Sequence, residues 1–181
     1  MGCGASSGKN GAGGTDKKVN VDAFDLEVNP KILSIQQLLS EMMALPQWTK
    51  MAEHAFDQGD KENTGQVPMK EVLKMIRQTQ EAMAYELFPN MDVSRLDQDL
   101  IQGIFKKQHK LINQTVNQAE FVELSSEYFK DYIIKKAGEL LNARDVPTEG
   151  GHGEQIGKVE HVIDRLSARL RNLKDVNPHT L

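Results

Sequence analysis

Between Asp60 and Glu71 the chain places oxygen-bearing side chains at the spacing a twelve-residue cation loop requires. With Asp60 at position 1, Glu62 and Thr64 supply oxygens at positions 3 and 5, and Gly65 occupies the sharp turn at position 6. The Gln66 carbonyl serves position 7, and Glu71 at position 12 closes the set as a bidentate carboxylate. Calcium, a hard cation that takes about six to eight oxygens, suits such a set once a water is added. Glu62 replaces the shorter Asp or Asn, Thr64 is uncharged, and Pro68 at position 9 brings neither a side-chain oxygen nor an N–H. The remaining carboxylates, Asp60, Glu62 and Glu71, point to one site with a Kd of about 10⁻⁶ to 10⁻⁴ M. The competing reading is a helix-loop-helix that keeps the turn and holds no ion.

The elements that must position this loop are helices. Met51, Ala52 and Phe56 lie on an entering helix from Pro46 to about Gln58, and Val72, Met75 and Ile76 recur at helical spacing on an exiting helix from about Met69 to Leu87. In this loop and its flanks the chain resembles the EF-hand superfamily. A second copy follows. Phe105 stands four residues before His109, and Val116 and Glu120 fall seven and eleven residues after it. The entering helix is expected to start near Asp92 or Ser94 and to carry Leu96, Leu100, Ile101 and Ile104; Phe121, Leu124, Tyr128 and Phe129 mark the exit. This second loop keeps little of the chemistry. His109 takes the place of the first Asp, Leu111 is at position 3 and Gln114 replaces the turn glycine, which leaves Asn113 and Glu120 as candidate ligands. Its expected role is structural, with Val67 pairing to Val116 across a short antiparallel contact.

Residues outside the hands extend this outline. Ile32, Leu33, Ile35, Leu38, Leu39, Met42 and Met43 form an apolar helical stripe between Pro30 and Pro46, and Met42, Met43 and Trp48 are assigned to core packing ahead of a target-binding groove. The helix after the second loop runs towards Leu140 and Leu141, with a break expected near Gly138. Pro147, Gly150, Gly151 and Gly153 mark a linker. Beyond it, Ile156, Val159, Ile163, Leu166, Leu170 and Leu173 keep alternating spacings of three and four, an a/d seam of about three heptads. Such a seam must face something: the protein's own groove or a partner helix first, then another copy of itself, then a membrane. The expected organisation is all-α: a tether over 1–29, a paired EF-hand domain over 30–144 with an extra N-terminal helix, hands at about 46–80 and 94–132, a linker over 145–155, and an amphipathic helix over 156–175.

The N-terminus carries a different chemistry. Met1-Gly2-Cys3-Gly4-Ala5-Ser6 fits the pattern for myristoylation of Gly2, and the chain's single cysteine, Cys3, stands beside it as a palmitoylation site. One myristoyl chain binds a membrane only marginally, so a second acyl group converts contact into attachment. Lys9, Lys17 and Lys18 add a weaker electrostatic attraction, and the Gly- and Ser-rich run to about Asp22 reads as a flexible tether. An incidental Gly-rich leader is the alternative.

The 22 basic against 26 acidic side chains, a net charge of −4, and the lack of a basic cluster argue against nucleic acid. A lone cysteine allows no internal disulfide, no apolar run is long enough to span a bilayer, and no secretory h-region is present. No P-loop, HExxH or nucleophile elbow occurs, so an enzyme is not expected, and His54, His109, His152, His161 and His179 keep no ligand spacing. The acylation signal and loop together look like the recoverin and calcineurin-B-like sensors, with two recognisable hands rather than four. That resemblance implies a calcium-responsive sensor or adaptor at the cytosolic face of a plasma, ciliary or flagellar membrane. The alternative is an interaction protein whose hands bind no calcium and whose last helix docks into a larger cytoskeletal or ciliary assembly.

Overall fold

Asn29 begins the first helix by accepting the Lys31 N–H on its side chain at 2.9 Å, and Pro30 fixes the first helical φ, so α1 runs Pro30–Met43. Pro46 starts α2, Pro46–Gly59, in the same way. A short strand β1, Val67–Pro68, leads into α3, Met69–Leu87, which stops two residues before Pro89. There follow α4, Gln98–Lys107; β2, Thr115–Val116; α5, Gln118–Asn142; and α6, Gly151–Asp175. The computed structural model describes residues 29–89, 91–108, 114–142 and 151–178, with side chains of α6 from Lys158 onward. The expectations for Gly2, Cys3, the tether, His109, Asn113 and the Ile156 side chain lie outside the described residues.

The fold is all-α apart from the two-residue strands. These pair antiparallel with Val67 opposite Val116 and Pro68 opposite Thr115, and Met69 N–H reaches the Gln114 carbonyl at 3.0 Å. Both valines are buried, so the contact joins the loops at the top of the core. Beneath it Phe56 meets Phe121 at 5.8 Å between ring centroids, and Trp48 meets Phe129 edge-on at 6.2 Å. Aromatic pairs at such separations add about 0.5–1.5 kcal/mol each to the area they bury.

Three boundaries differ from the sequence expectation. First, α4 begins at Gln98 rather than near Asp92 or Ser94. Asp92 accepts both the N–H and the hydroxyl of Ser94, closing a local turn, and the cap is Asp97, whose Oδ1 takes the Leu100 N–H at 3.1 Å. Second, α5 runs unbroken through Gly138, which is buried. Burial against neighbours outweighs the roughly 1 kcal/mol that a helical glycine costs. Third, α6 begins at Gly151, inside the expected linker, because extending a docked helix adds one hydrogen bond per residue.

The last helix lies on the rest of the chain. It packs along α1 and against α5, α3 and α2. Val159, Val162, Leu166 and Leu170 are buried, while Ile163 and Leu173 are only partly covered. The heptad seam therefore names the face imperfectly. A straight helix turns every 3.6 residues, so its buried stripe drifts off a 3.5-residue seam and brings in Val162. Lys31 to Glu160, Lys174 to Glu41, and Arg165 and Arg169 to Glu86 fasten the rim of the helix at 2.8, 3.8, 3.4 and 2.5 Å. As exposed pairs they align the helix more than they stabilise it.

Candidate metal centre

The first loop is folded around one carboxylate. Asp60 ends α2, its N–H still bonded to the Phe56 carbonyl at 2.9 Å, and its side chain turns into the loop. Its Oδ1 accepts the Thr64 N–H at 3.0 Å and lies 3.2 Å from the Thr64 hydroxyl, and its Oδ2 accepts the Gly65 N–H at 2.7 Å. Two left-handed residues make this possible: Asn63 at φ 51° and Gly65 at φ 72°. Asparagine tolerates that region and glycine suffers no steric cost there. Burial pushes the Asp60 carboxyl up, but the two amides and the hydroxyl outweigh it and hold the group below its ordinary value.

Thr64 Oγ1 also lies 2.9 Å from the Gln66 carbonyl. Oxygens from positions 1, 5 and 7 thus form a chain with separations of 3.2 and 2.9 Å. Neighbouring oxygens around a calcium ion, each at about 2.3–2.6 Å from it, stand about 3 Å apart. The hydroxyl has one proton for two acceptors, so one of these oxygen pairs has no hydrogen between its members.

The two glutamates do not join this knot. Glu62 is exposed, and Glu71, in the first turn of α3, has its carboxylate 3.6 Å from Lys74 Nζ. Among the described residues no three histidine, cysteine or acidic side chains converge. Of the expected ligands, Asp60, Thr64 and Gln66 are brought together, and Glu62 and Glu71 stand apart from them. The side chain of Gln66 reaches the other loop instead, its Oε1 accepting from Thr115 at 2.8 Å.

In the second loop Glu120 has a different occupation. Its N–H bonds to Asn117 Oδ1 and its carboxylate accepts the Asn117 N–H, each at 3.0 Å. This reciprocal capping box opens α5. The spacing Asn117-x-x-Glu120 could have signalled it.

The remaining candidates fall elsewhere. His54 bonds to Gln58 on the surface of α2 and His161 sits at the Glu86 carbonyl, so neither is placed as a ligand. The seam residues Val159, Leu166 and Leu170 are buried within the chain itself. A further pair escaped the sequence reading: Gln80, fully buried, donates to the carbonyls of Val93 and Arg95 and accepts from Tyr128, fixing the segment before α4. Burial pushes the Tyr128 hydroxyl up to about 12. No described helix is long and apolar enough to cross a membrane.

Comparison with protein-family models, curated proteins and solved structures gave no match.

Proposed function

We propose that this chain is an EF-hand calcium-binding protein, held at the cytosolic face of a membrane by acyl groups on Gly2 and Cys3, that acts there as a calcium-responsive sensor or adaptor. The observation that carries the reading is the convergence of oxygens from Asp60, Thr64 and Gln66, spaced 3.2 and 2.9 Å apart at loop positions 1, 5 and 7. Those residues would hold the ion, with Glu71 on α3 and Glu62 as the further carboxylates. Bound calcium would supply positive charge at the junction of α2 and α3. The chain is proposed as a binding protein, without catalysis. Isothermal titration of the purified chain tests it: one saturable calcium site is expected with a Kd of about 10⁻⁶ to 10⁻⁴ M. No heat of binding up to millimolar calcium sinks the reading. For the anchor, Gly2→Ala should abolish membrane flotation and Cys3→Ser should leave weak, reversible binding. Equal membrane fractions for wild type and Gly2→Ala would remove acylation from the account.

A second reading is favoured by the contact of Glu71 with Lys74 and by the capping role of Glu120. In it both hands are ion-free scaffolds that present the chain to a larger assembly. The same titration separates the two.

A further inference from the structure

Gly59 is the last residue of α2 and the neighbour of Asp60. Its φ lies outside the left-handed region, so no turn demands glycine at this place. What demands it is a side chain on the next helix. A Cβ added to Gly59 would overlap the sulfur of Met75 on α3, with Met75 Cε 3.1 Å and Cγ 3.6 Å away. The thioether therefore lies directly on the backbone of α2, an approach that glycine permits because it has no side chain. Gly103 on α4 makes the contrast, since a Cβ there would meet nothing within 4 Å.

The position of Met75 gives this contact a meaning for the loop. Met75 follows Glu71 by four residues, so the two share a face of α3, one turn apart. The Met75 end of that face rests on the residue next to Asp60. Helices stand apart by an amount that the side chains at their contact decide, and a glycine at the contact gives the closest approach. The seat of Met75 on Gly59 thus fixes how far Glu71 must reach to meet Asp60, Thr64 and Gln66. In the second loop the equivalent places hold Gln108 and Leu124. Gln108 brings a full side chain, directed to Glu127 at 3.5 Å, and there Glu120 is committed to its helix cap. The close contact belongs to the loop whose twelfth-position carboxylate stays outside the cap.

We propose that Gly59 and Met75 are positioning residues of the calcium site, a role that rests on the loop at 60–71 being such a site. The thioether seated on the Gly59 backbone sets the gap between α2 and α3 across which Glu71 closes the loop. Alanine at position 59 fits only if α3 moves off or Met75 turns away, and either change frees the face that carries Glu71.

The test is isothermal titration of the full chain with calcium, beside urea denaturation of the calcium-free chain. Gly59→Ala should weaken calcium binding about tenfold, the lower end of what loss of a supporting group costs a metal site. Alanine is the better helix former, so the urea midpoint should hold or rise. Met75→Ala removes the same contact from the other side and should weaken calcium by a similar factor. The double variant should bind no more weakly than either single one, because one contact is lost only once. Gly103→Ala should leave the affinity unchanged. In the calcium-free wild type, a nuclear Overhauser effect should join the Met75 methyl to the Gly59 α-protons. Three results overturn the proposal while the calcium site stands: wild-type affinity in Gly59→Ala, a calcium loss in Gly59→Ala matched by an equal loss of folding free energy, or a double variant weakened by the product of the single effects, about a hundredfold. A wild type that takes up no calcium sinks the calcium site itself and this role with it, even where the Overhauser effect is seen.

Discussion

In the first loop the exiting helix begins after Pro68, which has no N–H to offer; in the second it begins after Asn117, whose N–H is taken by Glu120. Glu71 and Glu120 stand at equivalent places, three residues beyond the cap and at the twelfth position of the loop. A carboxylate there can close a cation site or complete a capping box. The cap residue decides between them. Proline, a fault in the first loop when judged as a ligand, is what keeps Glu71 out of a capping box. Asparagine in the second loop commits Glu120 to the helix. The two loops share a bridge and a core, yet only one keeps its twelfth-position carboxylate out of the helix cap.

If both loops belong to one cooperative body, a charge placed in their shared core should unfold them together, with the largest effect of any substitution considered. Leu166 of α6 is buried in the core the two halves share. Leu166→Asp places an unpaired carboxylate there and should cost about 3–5 kcal/mol in urea denaturation of the monomer. Ile163→Asp, only partly covered, should cost visibly less. A single lowered transition keeps the halves together. An unchanged transition would mean that α6 does not dock in solution, and two separate transitions would split the comparison into independent units.

Next in size is the contrast between the glutamates themselves. Glu71→Gln should weaken calcium binding by more than the roughly 10–100-fold that loss of a supporting group costs a metal site. Glu120→Gln should leave it unchanged. Pro68→Asn sharpens the point, because it recreates the cap found at Asn117 and offers Glu71 a competing partner. A capping box worth about 1 kcal/mol should lower calcium affinity about fivefold in isothermal titration. If Pro68→Asn binds calcium as tightly as wild type, the cap does not govern the carboxylate.

Much of this frame was legible in the residues. The bounds of α3, the Asp60–Glu71 spacing, and the pairing of Val67 with Val116 follow from periodicity and from counting loop positions, since both are local patterns. What escaped depends on choices between local partners or on tertiary packing. Asp92, Ser94 and Asp97 are all good caps, and which one starts α4 is decided by the bonds Asp92 makes to Ser94. Val162 enters the core because the buried face of α6 follows the 3.6-residue period of a helix rather than the 3.5-residue heptad. The contact of Met75 with Gly59 is a property of two helices at once, and no spacing along one of them encodes it. At the candidate site itself, the convergence of Asp60, Thr64 and Gln66 follows from their places in a twelve-residue loop, whereas the capping role of Glu120 depends on its choice of Asn117 as a local partner.

A smaller effect separates the loops without any ion. Asn117→Ala removes the side-chain half of the capping box and should lower stability by about 1 kcal/mol in urea denaturation. Pro68→Ala removes no such bond and should change stability by less than about half of that. Equal losses would show that the two helices start alike and would erase the difference at its root.

The smallest expected effect is in the titration of Asp60, followed in calcium-free solution. Its carboxyl is held below the ordinary value of 3.8 because the amides of Thr64 and Gly65 favour the ionised form more than burial opposes it. A group whose folded pKa is depressed adds stability above its unfolded pKa, and loses that contribution as pH falls through the folded value. The first loop should therefore loosen only at the acid end. The Gly65 amide, donating to Asp60 at 2.7 Å, is the reporter: its NMR shift should titrate with a midpoint below 3.8, and the titration should vanish in Asp60→Asn. A midpoint at or above the ordinary carboxyl value would mean that the amides do not hold the carboxylate, and the loop would then have no preformed first ligand.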